Sequence, residues 1–430
     1  MKRNILLLAL ALMLAACTTS NDTRNKGPLT PGDPKSAGMS PERLARIDTL
    51  LSQAVKFDKI PGAVALVARH GKIVYHKAFG YADNQSGRVM KNDDIFRIAS
   101  QTKAVTATAV MILWEEGKFG LDDPISAYIP EFKNPKVLKD FNPKDSSYTT
   151  VPAASEITIR ELLTHTSGVG YGMIDGDDRF RKIYQKAGII DAFTTADVTV
   201  AENIKKLAGM PLHFNPGEKY SYSEGLDILA YLVELKSGMP FDKFLKSRIF
   251  DPLGMKDTWF YLPGDKASRL VSVQQPVNGK WTRFPVTFYD PDYPVKGPKK
   301  YFAGGAGLSS TALDYATFLQ MYLNGGELNS HRILSRTTIK AIMGNQNTKV
   351  WGEDAESYYG LAFSVLKKSG QDKGGHGSEG TFSWGGYFST SYFADPVEDV
   401  TGILMKQTQG ADRDDTAAKF QALVGQAVND

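Results

Sequence analysis

The chain carries a single cysteine, Cys17, in 430 residues, which excludes an internal disulfide. Its six histidines include no His-x-x-x-His pair, so the usual helical metal-ligand spacing is missing and no cofactor is expected. No Gly-x-x-x-x-Gly-Lys-Ser/Thr loop is present to cradle a phosphate. The Gly-x-Ser-x-Gly elbow that presents the serine of α/β-hydrolases is missing too. Nor does one sign of charge prevail: 51 Lys and Arg against 47 Asp and Glu leave +4, with Lys2 and Arg3 at the very start. No basic stripe points to nucleic acid. What remains is chemistry done by side chains alone, in a chain long enough to bury a large core.

No apolar run is long enough to span a membrane comfortably, but the N-terminus supplies an address. Lys2 and Arg3 precede an apolar stretch, residues 5–16, that ends in small residues. Residues 1–16 read as a signal peptide. Leu14-Ala15-Ala16-Cys17 resembles a bacterial lipobox, which implies cleavage before Cys17, lipid on its thiol and a membrane anchor. Thr18 follows, with no aspartate at that position; by resemblance to Gram-negative lipoproteins this favours the outer membrane, facing the periplasm. Residues 17–35 are then the lipidated cysteine and a polar, Gly- and Pro-containing tether. The folded region is expected over 36–430.

The stretch IFRIASQTKAVTATAVMILWEE, residues 95–116, reads as an extended entry followed by a buried helix, because Val105, Ala109, Ile112 and Leu113 recur at helical spacing and few polar faces remain. Ser100 stands at the helix N-terminus, where hydroxyl residues are favoured. Lys103 lies one turn later on the same face, so its amine can reach the Ser100 hydroxyl. Burial and the positive helix end both disfavour a charged lysine, which leaves a usable base beside an activated nucleophile. The bland alternative is an N-cap and a solvated lysine. A second Ser-x-x-Lys, Ser364 to Lys367, falls in YGLAFSVLKK, whose alternation predicts a strand with those two residues on opposite faces.

Along the rest of the chain, residues 41–55 after Ser40 form an amphipathic helix pattern through Leu44, Ile47, Leu50 and Leu51. GAVALVAR and KIVYHKAFGYA, joined at His70-Gly71, predict a hairpin. Residues 120–300 lack strong alternation and read as a largely helical and irregular insertion. Helices are expected at 313–324, 335–343 and 416–428, and strands at YGLAFSVLK, around 380–383, at YFSTSYFA and at TGILMKQ. Strands and helices at both ends of the chain give an α+β fold, one mixed antiparallel sheet flanked by helices.

Further stretches line up with Ser100-Gln-Thr-Lys103: ELLTHTSGVGYG from Glu161, PGEKYSYSEGLDILAYLVE from Pro216 and IFDPLGMKDTWF from Ile249. GGAGLSST from Gly304 and GTFSWGGYFSTSYFADP from Gly380 continue the series. In that order and spacing the chain resembles the serine β-lactamase and penicillin-binding-protein superfamily, in its class C-like branch, and within it the family VIII carboxylesterases. The resemblance implies a β-lactamase/transpeptidase-like fold and a catalytic set of Ser100, Lys103 and Tyr222. Tyr222 stands six residues after the Pro216 of Pro-Gly and precedes a serine, whereas Tyr220 takes the place of a packing aromatic. Trp384-Gly385-Gly386 stands where lactamases carry Lys-Thr-Gly, and the oxyanion hole would be the amides of Ser100 and Tyr387. Glu224 replaces the class C asparagine and joins Trp384, Gly385 and Gly386 as a candidate substrate-binding residue. His165 falls in the family's structural turn near the cleft, and His376 reads as a loop or supporting residue.

These features predict an acyl-enzyme serine hydrolase, a carboxylesterase on short, small-molecule acyl esters. The alternatives are a β-lactamase, a D-alanyl-D-alanine peptidase, an acyltransferase or a non-catalytic cell-wall-binding lipoprotein. The aromatic, proline-broken residues 288–302 have the composition of a loop over a pocket.

Overall fold

Ser40 starts the first long helix, α1 (Pro41–Lys56): its hydroxyl accepts from the Arg43 N–H, and proline occupies the first turn. Leu44, Ile47, Leu51 and Ala54 form its buried stripe. The hairpin β1 (Gly62–Arg69) and β2 (Lys72–Asp83) follows, antiparallel, with His70 and Gly71 both at positive φ in the two-residue turn. The buried helix α2 (Thr102–Glu115) comes next, and every residue from Thr102 to Leu113 is buried.

The computed structural model describes residues 26–374, 377–411 and 414–430. The leader, Cys17 and His376 lie outside the described residues. Later elements are α3 (Gly225–Ser237), α4 (Ala312–Leu323), β3 (Ser357–Tyr359), β4 (Ser364–Leu366), β5 (Phe382–Gly385), β6 (Ser391–Asp395), β7 (Val400–Met405) and α5 (Thr416–Ala427).

One sheet gathers both ends of the chain, in the order β2-β1-β7-β6-β5-β4-β3, with each neighbouring pair antiparallel. The short strand Thr30–Pro31 adds to β2 in parallel, which makes the sheet mixed. All of β1 is buried, and the reason is two-sided cover. Ala63, Ala65 and Val67 face α1 and α5, together with Leu404, Phe420 and Val424. Val64, Leu66 and Ala68 face the larger core that contains α2, α3 and α4. The sheet therefore reads as a nearly continuous apolar run in its centre.

Two expectations change. YGLAFSVLK is not one strand: it turns at Ala362, at φ 76, and pairs with itself as β3 and β4. The Lys367 amine donates to the Gly352 and Glu353 carbonyls on the surface, so the second Ser-x-x-Lys is a surface coincidence. Within 120–300, short helices are joined by two hairpins, Lys136–Phe141 with Tyr148–Pro152 and Gln274–Val277 with Lys280–Arg283. These strands are half exposed and alternate weakly, which hides them in the sequence.

Gly402 of β7 pairs with Phe393 of β6, and a Cβ there would stand 2.3 Å from the Phe393 ring. Gly402→Ala is expected to destabilise the protein by about 1–3 kcal/mol through overpacking. Urea denaturation midpoints of the two proteins measure it.

Candidate active site

The route into α2 is tighter than a plain helix start. Residues Ala99–Gln101 form a single 3-10 turn, and Gln101, not Ser100, holds the N-cap position of α2. Ala99 sits at φ 44, a left-handed backbone that costs a non-glycine residue roughly 1–2 kcal/mol. Phe96–Arg97 pairs with Ser309–Ser310, and the Ile98 N–H donates to the Leu308 carbonyl, so the entry is held from outside. Ser100 is thereby turned out of the capping role and into a narrow cleft with a cavity volume of only about 20 Å3. Tyr171, Ile174, Asp191, Ala192, Phe193, Phe288, Ala306 and Tyr387 complete that cavity.

Lys103 is completely buried. Its amine does not hydrogen-bond Ser100 as the helical spacing predicted. It donates to the Gly305 carbonyl at 2.8 Å and, more weakly, to Tyr171 Oη at 3.4 Å. The strong carbonyl acceptor opposite takes the amine instead. The amine also stands 4.4 Å from the centre of the Tyr222 ring and 5.3 Å from that of Tyr171. Those two rings stack, 5.6 Å apart and 15° from parallel.

Of the two candidate tyrosines, it is Tyr222 that meets Lys103. Tyr220 lies further along, packed on Trp351 at 5.1 Å. The Tyr222 hydroxyl is buried and has no hydrogen-bond partner among the described residues. An unsatisfied buried hydroxyl costs about 1–3 kcal/mol, and a reacting oxygen in the cleft would satisfy it. His165, at φ 55 in its turn, braces this tyrosine: the Ser223 N–H donates to Nδ1 at 3.2 Å, which places the ring proton on Nε2. The two rings are 4.6 Å apart. Burial, and then Lys103, hold the imidazole pKa well below its ordinary value, so His165 is neutral.

Trp384, at the cleft end of β5, packs 5.8 Å from Tyr222 and edge-on to Tyr359 at 5.0 Å. Gly385 follows in β5, and Gly386 lies so close to the entry of α2 that a Cβ would stand 2.5 Å from the Ile98 carbonyl oxygen. That contact sets Tyr387 beside Ser100. Among the described residues, neither the Ser100 nor the Tyr387 N–H donates to another backbone group. Two free amides flank one cavity, as an oxyanion hole requires.

Glu224 does not line that cavity. It is 1% exposed, with both carboxyl oxygens lacking a donor among the described residues. Asp191, in contrast, does line the cavity. Burial first, and then the Asp191 and Asp227 carboxylates, raise the Glu224 pKa well above its ordinary value. Asp227 accepts from the Gly305 N–H at 3.0 Å, and burial pushes its pKa up to about 6. The residues that sequence reasoning did not assign are therefore Tyr171, Asp191, Asp227 and Gly305. Tyr171 ends the quoted motif ELLTHTSGVGYG, so a signal existed; Asp191 stands in no motif. Phe288, from the aromatic stretch 288–302, does reach the cavity.

The family model described as Beta-lactamase matches residues 47–426. Esterase EstB of Burkholderia gladioli is 32% identical, over 87% of this chain and 93% of that protein. A putative D-alanyl-D-alanine carboxypeptidase of Escherichia coli (strain K12) is 28% identical, over 94% and 90%. The solved structure of EstCE1, described as a hydrolase with promiscuous acyltransferase activity, superposes with a TM-score of 0.74 at 25% identity. It covers 90% of this chain and 99% of its own.

Because Tyr222, and not Tyr220, meets the Lys103 amine, Tyr222→Phe is expected to lower kcat by about 10²- to 10⁴-fold, the range of a lost proton-transfer group. Tyr220→Phe should stay within about tenfold of the parent. Steady-state kinetics on one activated ester compares the two.

Proposed function

The chain belongs to the β-lactamase family, and from that premise we propose that this serine hydrolase is a carboxylesterase acting on short acyl esters through an acyl-enzyme. The observation that carries the reading is the cavity wall. Around Ser100 it is aromatic and aliphatic apart from Asp191, its lining includes no basic side chain, and Trp384 lies beside Tyr222 at the end of the cleft strand. A neutral ester with a small acyl group fits such a wall. A substrate that must anchor a carboxylate finds no cation there.

In the proposed reaction Ser100 Oγ attacks the ester carbonyl carbon and gives its proton to the Lys103–Tyr222 pair. The carbonyl oxygen takes the negative charge between the Ser100 and Tyr387 amides. The intermediate collapses, the bond to the alcohol oxygen breaks, and the alcohol leaves with the proton returned by Tyr222. Water then attacks the acyl-enzyme, gives a proton to the same pair, and releases the acid with Ser100 restored.

The leader supports a location as well. The lipobox-like residues 14–17 place a lipid on Cys17, and the tether lets the hydrolase work at the inner face of the outer membrane. Cells expressing the protein and fed an alkyne fatty acid should label it. Cys17→Ala should abolish the label and move the protein to the soluble fraction; a label that survives would remove the anchor.

A soluble form beginning after Cys17 should hydrolyse p-nitrophenyl acetate and butyrate, with little turnover of a chromogenic cephalosporin. Ser100→Ala should lower ester turnover by about a thousandfold or more. Cephalosporin turnover rivalling that of the esters would instead select a lactamase. Loss of neither activity in the variant would remove Ser100 as nucleophile.

A further inference from the structure

A second cavity, of about 820 Å3, lies apart from Ser100 and shares no lining residue with the Ser100 cleft. Its volume is that of a site able to enclose a small ligand. The 304–310 segment runs between the two spaces. Ala306 lines the Ser100 cleft, and a Cβ on the next residue, Gly307, would stand 2.8 Å from the Phe260 ring, which lines the second cavity.

Three stretches of the chain build its walls. The first is a short helix, Phe241–Leu245, that continues through a π turn, Lys246–Phe250, and ends at Asp251–Leu253. A π turn is a rare helix form that recurs at functional sites, and this one brings both Lys246 and Phe250 to the cavity. Residues 255–263 form the second wall. They are pinned from behind, because Trp259 and Ser309 exchange backbone hydrogen bonds at 2.9 and 2.8 Å and the Thr258 and Ser310 hydroxyls meet at 2.8 Å. The third wall is Lys299, Lys300 and Phe302. Tyr261 Oη donates to the Tyr301 carbonyl at 2.8 Å, and the Phe260 and Tyr261 rings pack on Phe302 at 5.4 and 5.9 Å. Each wall is tied to its neighbours, so the space is formed before any ligand enters, which lowers the cost of binding.

The lining divides by chemistry. Phe250, Met255, Phe260, Leu262 and Phe302 give an apolar interior. Around it stand five lysines, Lys243, Lys246, Lys256, Lys299 and Lys300, against two aspartates, Asp242 and Asp251. Lys243 pairs with Asp242 at 3.3 Å, Lys246 with Asp251, and Lys300 with Asp197 at 2.6 Å. The exposed Lys256 and Lys299 amines have no partner among the described residues. Lysine stems lie along apolar surface while their amines stay in water, so both charges can stand at the mouth. A cationic ligand would be repelled there, and a neutral one would leave both amines unused.

We infer that this cavity is a binding site for a single-chain fatty acid, with the alkyl chain among Phe250, Met255, Phe260 and Phe302 and the carboxylate held by Lys256 and Lys299. The inference stands apart from the esterase reading, since no residue of the Ser100 cleft takes part. Salt screens the carboxylate from the lysines but does not weaken burial of the chain, so the two contributions can be separated.

The test uses the soluble form beginning after Cys17, which keeps every described residue. Binding of 12-bromododecanoate is followed by tryptophan fluorescence, because bromine quenches an indole it touches. Of the five tryptophans, Trp259 lines this cavity and Trp384 stands at the Ser100 site. Saturable quenching is expected in the parent, and Trp259→Phe should remove most of it. Quenching that survives in Trp259→Phe and disappears in Trp384→Phe would place the chain at Ser100 and overturn the inference.

Octanoate, decanoate and dodecanoate should compete, each added methylene tightening binding about two- to fourfold. The double variant Lys256→Gln, Lys299→Gln should weaken dodecanoate by about three- to thirtyfold and leave p-nitrophenyl acetate turnover within about twofold of the parent. Dodecanol should compete less well than dodecanoate by a similar factor, and dodecyltrimethylammonium less well still. Raising salt from about 0.01 M to about 1 M should weaken dodecanoate in the parent and change little in the double variant. Dodecanol that binds as tightly as dodecanoate, a double variant with parental affinity, or a parent with no saturable quenching would each overturn the inference.

Discussion

The Lys103 amine has no water to turn to, and much of the molecule is arranged to satisfy it. A buried polar group without a partner costs several kcal/mol, so an acceptor must be brought to it. That acceptor is the carbonyl of Gly305, 202 residues along the chain. The same peptide is gripped from its other side, where the Gly305 N–H donates to Asp227 of α3. Leu308 adds two bonds to the helix entry: its N–H donates to Thr102 Oγ1 at 3.1 Å and its carbonyl accepts from the Ile98 N–H at 3.0 Å. Satisfying one amine therefore fixes α2, α3 and the 304–310 segment against one another, and the same bonds deliver Ser100 on its strained turn.

This dependence explains what could be read from the sequence. Local periodicity carries α1, the β1–β2 hairpin and α5, because each buries one face or turns on two residues whose backbone demands are visible in their identity. Ser100, Lys103 and Tyr222 stand out as a set through the family resemblance, and it is that resemblance that separates Tyr222 from Tyr220. The geometry between them was not legible. Helical spacing places Lys103 against the Ser100 hydroxyl, but the Gly305 carbonyl takes the amine, and the entry turn before it is held by a positive φ at Ala99. No pattern marks alanine for a left-handed backbone, and no window spans two hundred residues. Asp191 escapes for the same reason: it is one aspartate in an irregular segment, brought to the cavity wall only by the fold. The strand expected at YGLAFSVLK failed differently. Its apolar run is a hairpin folded on Ala362, and both arms are too short for alternation to reveal the turn.

The balance of charge around the cavity bears on substrate choice more than any single contact does. An ion pair near a protein surface at 4 Å is worth about 4 kcal/mol at an effective dielectric of 20, roughly a thousandfold in affinity. A cation at the cleft strand would supply that term to a substrate carboxylate. Here Trp384 occupies the strand and three buried carboxyls lie behind the cavity, so an anionic substrate loses the attraction and meets acidic groups instead. A neutral ester loses nothing by the exchange and gains apolar contact with Phe193, Phe288 and Ile174. The exposed Met173, Ile174 and Phe288 extend the apolar surface out of the cavity to its mouth. Replacing one cation by an indole thus changes both ends of the discrimination: it removes the term that favours a charged substrate and adds to the one that favours a neutral acyl chain.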